Sequence, residues 1–209
     1  MDKQHTGEPA AGEMNVAARS PIHFGPFIVT PQVFFITPLS FALVNIKPLL
    51  PGHVLVCPIR RTPRLSDLTP AETTNLFLTV RRVSRMVERV YQASSLNVAI
   101  QDGVDAGQSV PHVHAHIIPR KKADLDHKGG SDAIYGMMDG EDGDIGRFLA
   151  ERKIAMESKR SRSGFPAVDN ESREPRSDEE MRKEAEMLAE EMEKEMEMER
   201  ENMKREYDE

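Results

Sequence analysis

The chain has 209 residues, the length of one ordinary domain with additional segments, and 38% of them are hydrophobic. Its formal net charge of −7 is unevenly distributed: residues 174–209 contain 16 acidic and 7 basic residues, a net of −9, which leaves +2 for residues 1–173. A nearly neutral body argues against a general nucleic-acid surface, and no apolar run approaches the ~18 residues of a membrane-spanning helix.

The cysteine content indicates the redox state of the compartment in which the protein folds. Cys57 is the single cysteine, so an internal disulfide is excluded, as is typical of a reducing environment. It lies in the apolar run 53–58, which favours a packed small side chain over a nucleophile. The first residues contain no apolar signal core. We therefore expect a soluble intracellular protein, cytoplasmic, with the nucleus as a second location.

The first elements in the chain are a leader and a set of strands. Residues 1–22 are polar and show no periodicity, which predicts a disordered leader. From residue 23, short runs rich in β-branched and aromatic residues alternate with Pro and Gly. These runs predict five strands, of which a tight turn at 38–40 joins the first two into a hairpin: 33–37, 41–45, 53–57, 96–100 and 113–118.

One long helix is predicted between the third and fourth strands. Thr69 can cap it, Pro70 suits its first turn, and Glu72 completes a capping box. Apolar residues then recur at three- and four-residue spacing to about Tyr91, so one face is buried. A long helix over an antiparallel sheet of about five strands predicts an α+β domain at 23–122.

The remaining residues differ from this domain in composition. Residues 123–175 are rich in Asp, Gly, Ser and Lys, which predicts a mobile loop or linker. Residues 176–209 predict an acidic helix that begins near Ser177 and whose large apolar residues are nearly all Met. Two interpretations of this helix stay open: a solvated, charge-laced helix, or a Met-lined docking face for a protein partner.

The motif that carries chemistry is PHVHAHIIP, from Pro111 to Pro119. His112, His114 and His116 alternate with apolar residues. In a strand, every second residue shares a face, so the three imidazoles would form one row above the core. Three histidines are an unusual choice for a face that is merely solvated.

Two chemistries compete for the histidine row. A zinc site needs at least three converging ligands, and the nearest carboxylates, Asp102 and Asp105, lie in a Gly-containing loop. A covalent site instead uses one imidazole as a nucleophile towards phosphorus, with its other nitrogen held by an acceptor. The central His114 is best placed to attack, while His112 and His116 donate to phosphate oxygens.

The loop before the motif favours the phosphorus chemistry. Gly107 permits close approach of the backbone to an anion. The amides of Gln108, Ser109 and Val110, with the Ser109 hydroxyl, can then hold a phosphate. A phosphate loop that leads directly into a histidine row is a coherent active site.

These residues resemble a known family. His112–Ile118 is similar to the His-φ-His-φ-His-φ-φ signature of the histidine triad superfamily, where φ is apolar. The resemblance is strongest to its fragile histidine triad branch, which hydrolyses dinucleoside triphosphates, and extends over about 24–121. The matching stretches are 40–45, 47–48, 51–58, 101–103, 106–108 and 119–121.

The resemblance implies hydrolysis of diadenosine triphosphate to AMP and ADP, with His114 taking the adenylyl group. It implies a homodimer whose sheets join across a two-fold axis, and Mg²⁺ or Mn²⁺ carried on the substrate phosphates rather than in a protein cage. His112 and His116 would flank the phosphate. The other implied positions are Gln101, Gln108 and Ser109 on the phosphates, the backbone of Gly107 and Val110 beside them, Asn45 on the ribose or base side, and His53 in support.

Two positions depart from the family pattern. Phe27 stands where the family usually carries a histidine, and a phenyl ring there can line an adenine pocket. Tyr135 matches a tyrosine that the family associates with substrate and signalling, but in a longer loop.

Two alternative functions stay open. Sister enzymes hydrolyse nucleoside phosphoramidates, typically with Gly-rich sequence after the triad and a C-terminal Trp; this chain has Pro119–Lys121 and no Trp. In a nucleotide-binding signalling module, the substrate complex would be the signal and the tail helix would recruit a partner.

Overall fold

The computed structural model describes residues 20–161 and 175–208. Residues 1–19 of the predicted leader therefore lie outside the described residues. Ile22, which the sequence assigns to the leader, is bonded to the domain. Its N–H donates to Thr30 Oγ1 at 2.9 Å, and its carbonyl accepts from Val29 N–H at 2.9 Å.

Two sheets are present in the described ranges. A small hairpin consists of β1 (His23–Phe24) and β2 (Phe27–Ile28). The main sheet contains β3 (Val33–Ile36), β4 (Ser40–Val44), β5 (Val54–Pro58), β6 (Ser95–Ala99) and β7 (Ala115–Arg120). All its pairs are antiparallel, in the order β3-β4-β5-β7-β6. The five predicted strands are confirmed, with their ends displaced by one or two residues.

The long helix α1 spans Pro70–Tyr91 and is also confirmed. Its capping box is present: the Glu72 N–H donates to Thr69 Oγ1 at 3.2 Å, and the Thr69 N–H donates to Glu72 Oε2 at 2.8 Å. The predicted apolar face packs on the sheet, with Leu76, Val83 and Val87 fully buried. Burial of this stripe is what holds α1 in place.

The sheet has two covered faces. Ile117 belongs to the main core with α1, whereas Ile118 belongs to a second cluster with Leu125, Ile134 and Met138. Since neighbouring residues of a strand point to opposite faces, His116 shares the face of Ile118, away from α1. The histidine chemistry thus lies on the side of the sheet opposite the long helix.

The described part of 123–175 contains two helices that the sequence analysis did not predict. These are α2 (Ala133–Asp139) and α3 (Ile145–Ser161). Ile145, Phe148 and Leu149 are buried in the main core, at a spacing that places them on one face of α3. Only about one turn carries this pattern, so tertiary burial rather than sequence periodicity determines the helix.

The C-terminal helix α4 (Asp178–Asp208) packs beside α1 and against β3. Met181, Leu188 and Met192 are buried in the domain's own core. At the rim, three arginines of α1 pair with glutamates of α4: Arg82 with Glu199, Arg85 with Glu195, and Arg89 with Glu191. Neither sequence interpretation describes this arrangement, because the apolar side of the helix completes the core of the same chain.

Within the described ranges, no helix combines the length and the apolar content that a bilayer crossing requires.

Candidate active site

His114 has the geometry that a nucleophile needs. Its Nδ1 lies 2.7 Å from the carbonyl oxygen of His112. A carbonyl only accepts, so Nδ1 carries the hydrogen and Nε2 retains its lone pair. Nε2 makes no hydrogen bond to the described part of the chain. Burial lowers the pKa of His114, although the His112 carbonyl opposes the shift, so the ring is held neutral.

His116 has the opposite polarity. The Leu49 N–H donates to His53 Nδ1 at 3.2 Å, so the hydrogen of His53 sits on Nε2. That Nε2–H donates to His116 Nδ1 at 3.0 Å, and the hydrogen of His116 is therefore on its own Nε2. This atom is buried and has no partner among the described residues. The Leu49 amide thus fixes the hydrogen of His53, and His53 in turn fixes the hydrogen of His116 on Nε2, beside the nucleophile.

The rings of His114 and His116 are adjacent, with centroids 4.9 Å apart. One presents a lone pair and the other an N–H. An imidazole that attacks phosphorus next to a donor for phosphate oxygen is the arrangement that the covalent hypothesis requires.

His112 differs from the role that the resemblance implies. Its Nδ1 accepts from the Gly25 N–H at 3.0 Å, and its Nε2 donates to the Pro58 carbonyl at 2.8 Å. Both nitrogens are satisfied, so neither can donate to a phosphate without breaking a protein contact. Burial is the largest cause that lowers its pKa, to about 4. In this structure His112 positions the backbone that holds His114, and its contact with phosphate stays a prediction.

The predicted strand start is also corrected. β7 begins at Ala115, so only His116 of the three histidines lies in it. His112 and His114 occupy the preceding segment, where the ring of Phe24 lies edge-on to His114 with centroids 5.0 Å apart. The apolar residues of the motif are buried as predicted, but the histidines are buried as well.

Asn45 is buried and supports the histidines from behind. Its Nδ2 lies 3.4 Å from His53 Nδ1, the acceptor nitrogen of that ring, and its Oδ1 accepts from the Lys47 N–H at 3.0 Å. In this structure it orients His53 and the turn that follows β4. Its contact with ribose or base stays a prediction.

The phosphate loop contains a second unused donor. Gly107 has φ +85°, and a Cβ there would collide with Gln101 Nε2. That amide nitrogen is buried and has no partner among the described residues. Gly107 is therefore required both by its backbone conformation and by the approach of the Gln101 side chain.

Only part of the loop backbone is available to a phosphate. The Gln108 N–H donates to the Gly103 carbonyl at 3.1 Å, and its side chain donates to the Pro63 carbonyl at 2.9 Å. Gln108 is therefore engaged within the chain in this structure, and its contact with phosphate stays a prediction. The N–H groups of Ser109 and Val110 donate to no backbone acceptor in the described part of the chain.

The donor set does not fit a resident metal. In the described ranges, no group of three or more His, Cys, Asp or Glu side chains is arranged to hold an ion. His112 has both nitrogens engaged and His116 has Nδ1 engaged. The groups left over are N–H donors and one imidazole lone pair, whereas Mg²⁺ and Mn²⁺ prefer oxygen ligands.

Sequence reasoning missed three contributors: Phe24, Gly25 and Lys47. The first two adjoin His114 and His112, and Lys47 is a buried cation near Asn45. The signals available in the sequence were Phe24-Gly25 and Lys47-Pro48, which both match the family pattern. Phe27 is half-buried in β2, and Tyr135 is exposed on α2.

The comparisons with known proteins agree with this geometry. A model of the HIT domain matches residues 29–123. The bis(5'-nucleosyl)-tetraphosphatase [asymmetrical] of Schizosaccharomyces pombe is 48% identical over 170 residues, covering 80% of this chain and 92% of that protein. The bis(5'-adenosyl)-triphosphatase of Dictyostelium discoideum is 44% identical over 167 residues, covering 79% and 89%.

A solved structure shows the same fold. The NitFhit protein of C. elegans superimposes with a TM-score of 0.57 at 33% identity, covering 82% of this chain and 30% of that one. The chain belongs to the histidine triad family, whose members carry the HIT domain.

Proposed function

We propose that this protein hydrolyses dinucleoside polyphosphates, chiefly diadenosine triphosphate to AMP and ADP. The observation that carries the proposal lies in three residues. His114 has a held Nδ1 and an unbonded Nε2, and beside it are two buried donors without a partner among the described residues, His116 Nε2 and Gln101 Nε2. Relatives named for triphosphate and for tetraphosphate hydrolysis support the substrate class.

The reaction proceeds in two steps, transfer of the adenylyl group to His114 and hydrolysis of the resulting phosphoramidate. His114 Nε2 attacks the phosphorus of one adenylyl group, and the phosphorus–oxygen bond to ADP breaks. ADP leaves with the bonding electron pair and needs no proton near neutral pH. Water then attacks the phosphoramidate, AMP is released, the water's proton goes to solvent, and His114 regains its lone pair.

The protein groups stabilise charge in both steps. His116 Nε2–H and Gln101 Nε2 donate to phosphate oxygens, joined by the N–H groups of Ser109 and Val110. The carbonyl of His112 accepts from His114 Nδ1–H, which becomes more acidic when Nε2 bonds to phosphorus. Mg²⁺ or Mn²⁺ enters on the substrate phosphates and neutralises part of their charge.

A homodimer is part of the proposal. The edge strand β3 packs against α4, whereas in the described part of the chain no strand pairs with the outer edge of β6, where Val98 is 48% exposed. An open edge strand is a ready surface for pairing with a second copy. Val98→Lys should lower the mass measured by light scattering from dimer to monomer. A monomeric wild-type protein would contradict this.

One experiment tests reaction class and nucleophile together. Purified protein is incubated with Mg²⁺ and diadenosine triphosphate, products are separated by ion exchange, and an adenosine phosphoramidate is run in parallel. Equal amounts of AMP and ADP are expected. His114→Asn should lose at least about a thousandfold in kcat, whereas the control His127→Asn, at an exposed site, should not.

Other outcomes would overturn parts of the proposal. Rapid cleavage of the phosphoramidate with the dinucleotide intact would move the protein to the sister enzymes. Comparable turnover by His114→Asn would exclude the covalent mechanism. Tight binding of the dinucleotide by wild-type protein without turnover would favour a signalling module.

A further inference from the structure

The proposed nucleophile has almost no exposure to solvent. His114 is 1% exposed and His116 is 2% exposed, which leaves little room for a dinucleotide beside them. Two elements cover this region: the β1–β2 hairpin and residues 139–149, which we call the cap. The cap comprises the end of α2, a short turn, and the first turn of α3.

The cap contacts the phosphate loop. The Gly146 N–H donates to Ser109 Oγ at 3.1 Å. The two backbones pack so closely here that a Cβ on Gly146 would collide with the Ser109 carbonyl. At the other end of the loop, Asp139 Oδ1 lies 3.7 Å from the position of a Cβ on Gly107. The cap therefore lies directly against the loop that is proposed to bind phosphate.

The cap also neutralises a buried cation. Lys47 is 5% exposed, and its Nζ lies 2.9 Å from Asp142 Oδ1 and 4.1 Å above the ring centroid of Phe148. Its backbone N–H is bonded to Asn45, which contacts His53. A buried ammonium needs a counter-charge, and the carboxylate of Asp142 supplies it while the cap is closed.

The two covering elements differ in what holds them. The hairpin is bonded to His112 through Gly25, and Phe24 is fully buried against the triad, so its displacement would disrupt the histidines themselves. The cap is held by apolar and polar contacts together. Ile145, Phe148 and Leu149 are buried in the core. The polar ties within the described residues include the Asp142 carboxylate on Lys47 and the Gly146 N–H on Ser109. Phosphate oxygens can replace the carboxylate at Lys47, and a nucleobase can cover apolar surface left by Phe148.

We propose that residues 139–149 form an autoinhibitory cap over the polyphosphate site, and that Lys47, once released from Asp142, binds the polyphosphate of the substrate. The inference rests on the proposed hydrolase function. It assigns a binding role to Lys47 and a competing role to Asp142, since one ammonium cannot serve both anions at full strength. Substrate therefore binds with lower affinity than the open site would allow.

The test measures KM and kcat for diadenosine triphosphate in four proteins: wild type, Asp142→Asn, Lys47→Gln and the double variant. Asp142→Asn should lower KM about fivefold, the scale of a partly exposed ion pair. Lys47→Gln should raise KM about tenfold, the scale of a hydrogen bond to a charged group. In the Lys47→Gln background, Asp142→Asn should leave KM unchanged. Glu141→Gln, a neighbouring and exposed acid, is the matched control.

A second readout follows the cap itself. In His114→Asn, saturating diadenosine triphosphate should speed hydrogen exchange of the amides of 139–149, because the cap is displaced. Slower or equal exchange would overturn the cap. An unchanged or raised KM in Asp142→Asn would overturn the competing role of Asp142. An unchanged KM in Lys47→Gln would overturn the binding role of Lys47. Absence of hydrolysis by the wild type would instead refute the proposed function, so the two failures are distinguishable.

Discussion

The histidine face and the inner side of the C-terminal helix are both buried, but they are built from different groups. On the histidine face, the nitrogens of neutral imidazoles and amides are bonded to a fixed partner, left as a donor, or, at His114 Nε2, left with a lone pair. Under α4, Met181, Leu188 and Met192 are buried in the hydrophobic core. On the histidine face, buried hydrogen bonds determine which nitrogens carry a hydrogen. Under α4, burial of apolar side chains stabilises the fold. Substitutions should therefore separate turnover from folding.

The largest expected effect on folding is at Leu188. Leu188→Ala should lower the free energy of unfolding by about 2–5 kcal/mol, because a fully buried leucine leaves a cavity in the core beneath α4. Urea unfolding measures it, with exposed Glu190→Ala as control. The kcat of the folded fraction should not change. A lost kcat with intact stability would break the division between the two regions.

The next effect is on turnover, at His53. His53→Ala removes the donor that fixes the hydrogen of His116 on Nε2, so kcat should fall about ten- to a hundredfold. His53→Gln retains an N–H donor and should recover part of the loss. Steady-state kinetics with diadenosine triphosphate measures both. Equal kcat in His53→Ala and wild type would show that His116 needs no support.

Lowering the pH should reduce the free energy of unfolding before the buried histidines of the folded protein are protonated. Burial lowers the pKa of His53 from 6.5 to about 3 and that of His112 to about 4. The unfolded chain therefore binds more protons than the folded one below about pH 6.5, and the free energy of unfolding should fall from there towards pH 4. Above pH 6.5 this contribution is constant. Urea unfolding at pH 8, 6.5 and 5 tests it; greater stability at pH 5 would contradict it.

The smallest effect is expected at the rim of α4. Glu195 is 3% exposed and lies 3.0 Å from Arg85 and 3.4 Å from Arg89, both of them partly exposed. Glu195→Gln keeps the shape and removes the charge, so it should cost about 1 kcal/mol. Thermal unfolding at low and high salt measures it. A loss as large as that of Leu188→Ala would show that ion pairs, rather than packing, secure the helix.

Local patterns in the sequence were sufficient for much of the fold. Strand-length apolar runs predicted the five strands of the main sheet, and the Thr69–Glu72 box predicted the start of α1, because both signals lie within a few residues. The spacing of the motif also predicted that Ala115 and Ile117 face the core. Such signals need no information about distant parts of the chain.

Features that depend on distant contacts were not predictable. α4 has a charged sequence, and its burial depends on a core that only the folded sheet and α1 provide. The engagement of both nitrogens of His112 depends on Gly25 and Pro58, which lie far away in the chain. Helices α2 and α3 likewise depend on burial of a few side chains against distant parts of the chain, Ile134 and Met138 in α2 and Ile145, Phe148 and Leu149 in α3.

The acceptor behind His114 is a peptide carbonyl, that of His112, and not a carboxylate. In the proposed two-step reaction, the imidazole is first the attacking group and then the leaving group. An anionic acceptor would make it more basic, which speeds attack but makes the phosphoramidate slower to release it. A neutral carbonyl orients the ring while keeping it a good leaving group. The backbone of His112 thereby balances the lifetime of the covalent intermediate against the speed of its formation.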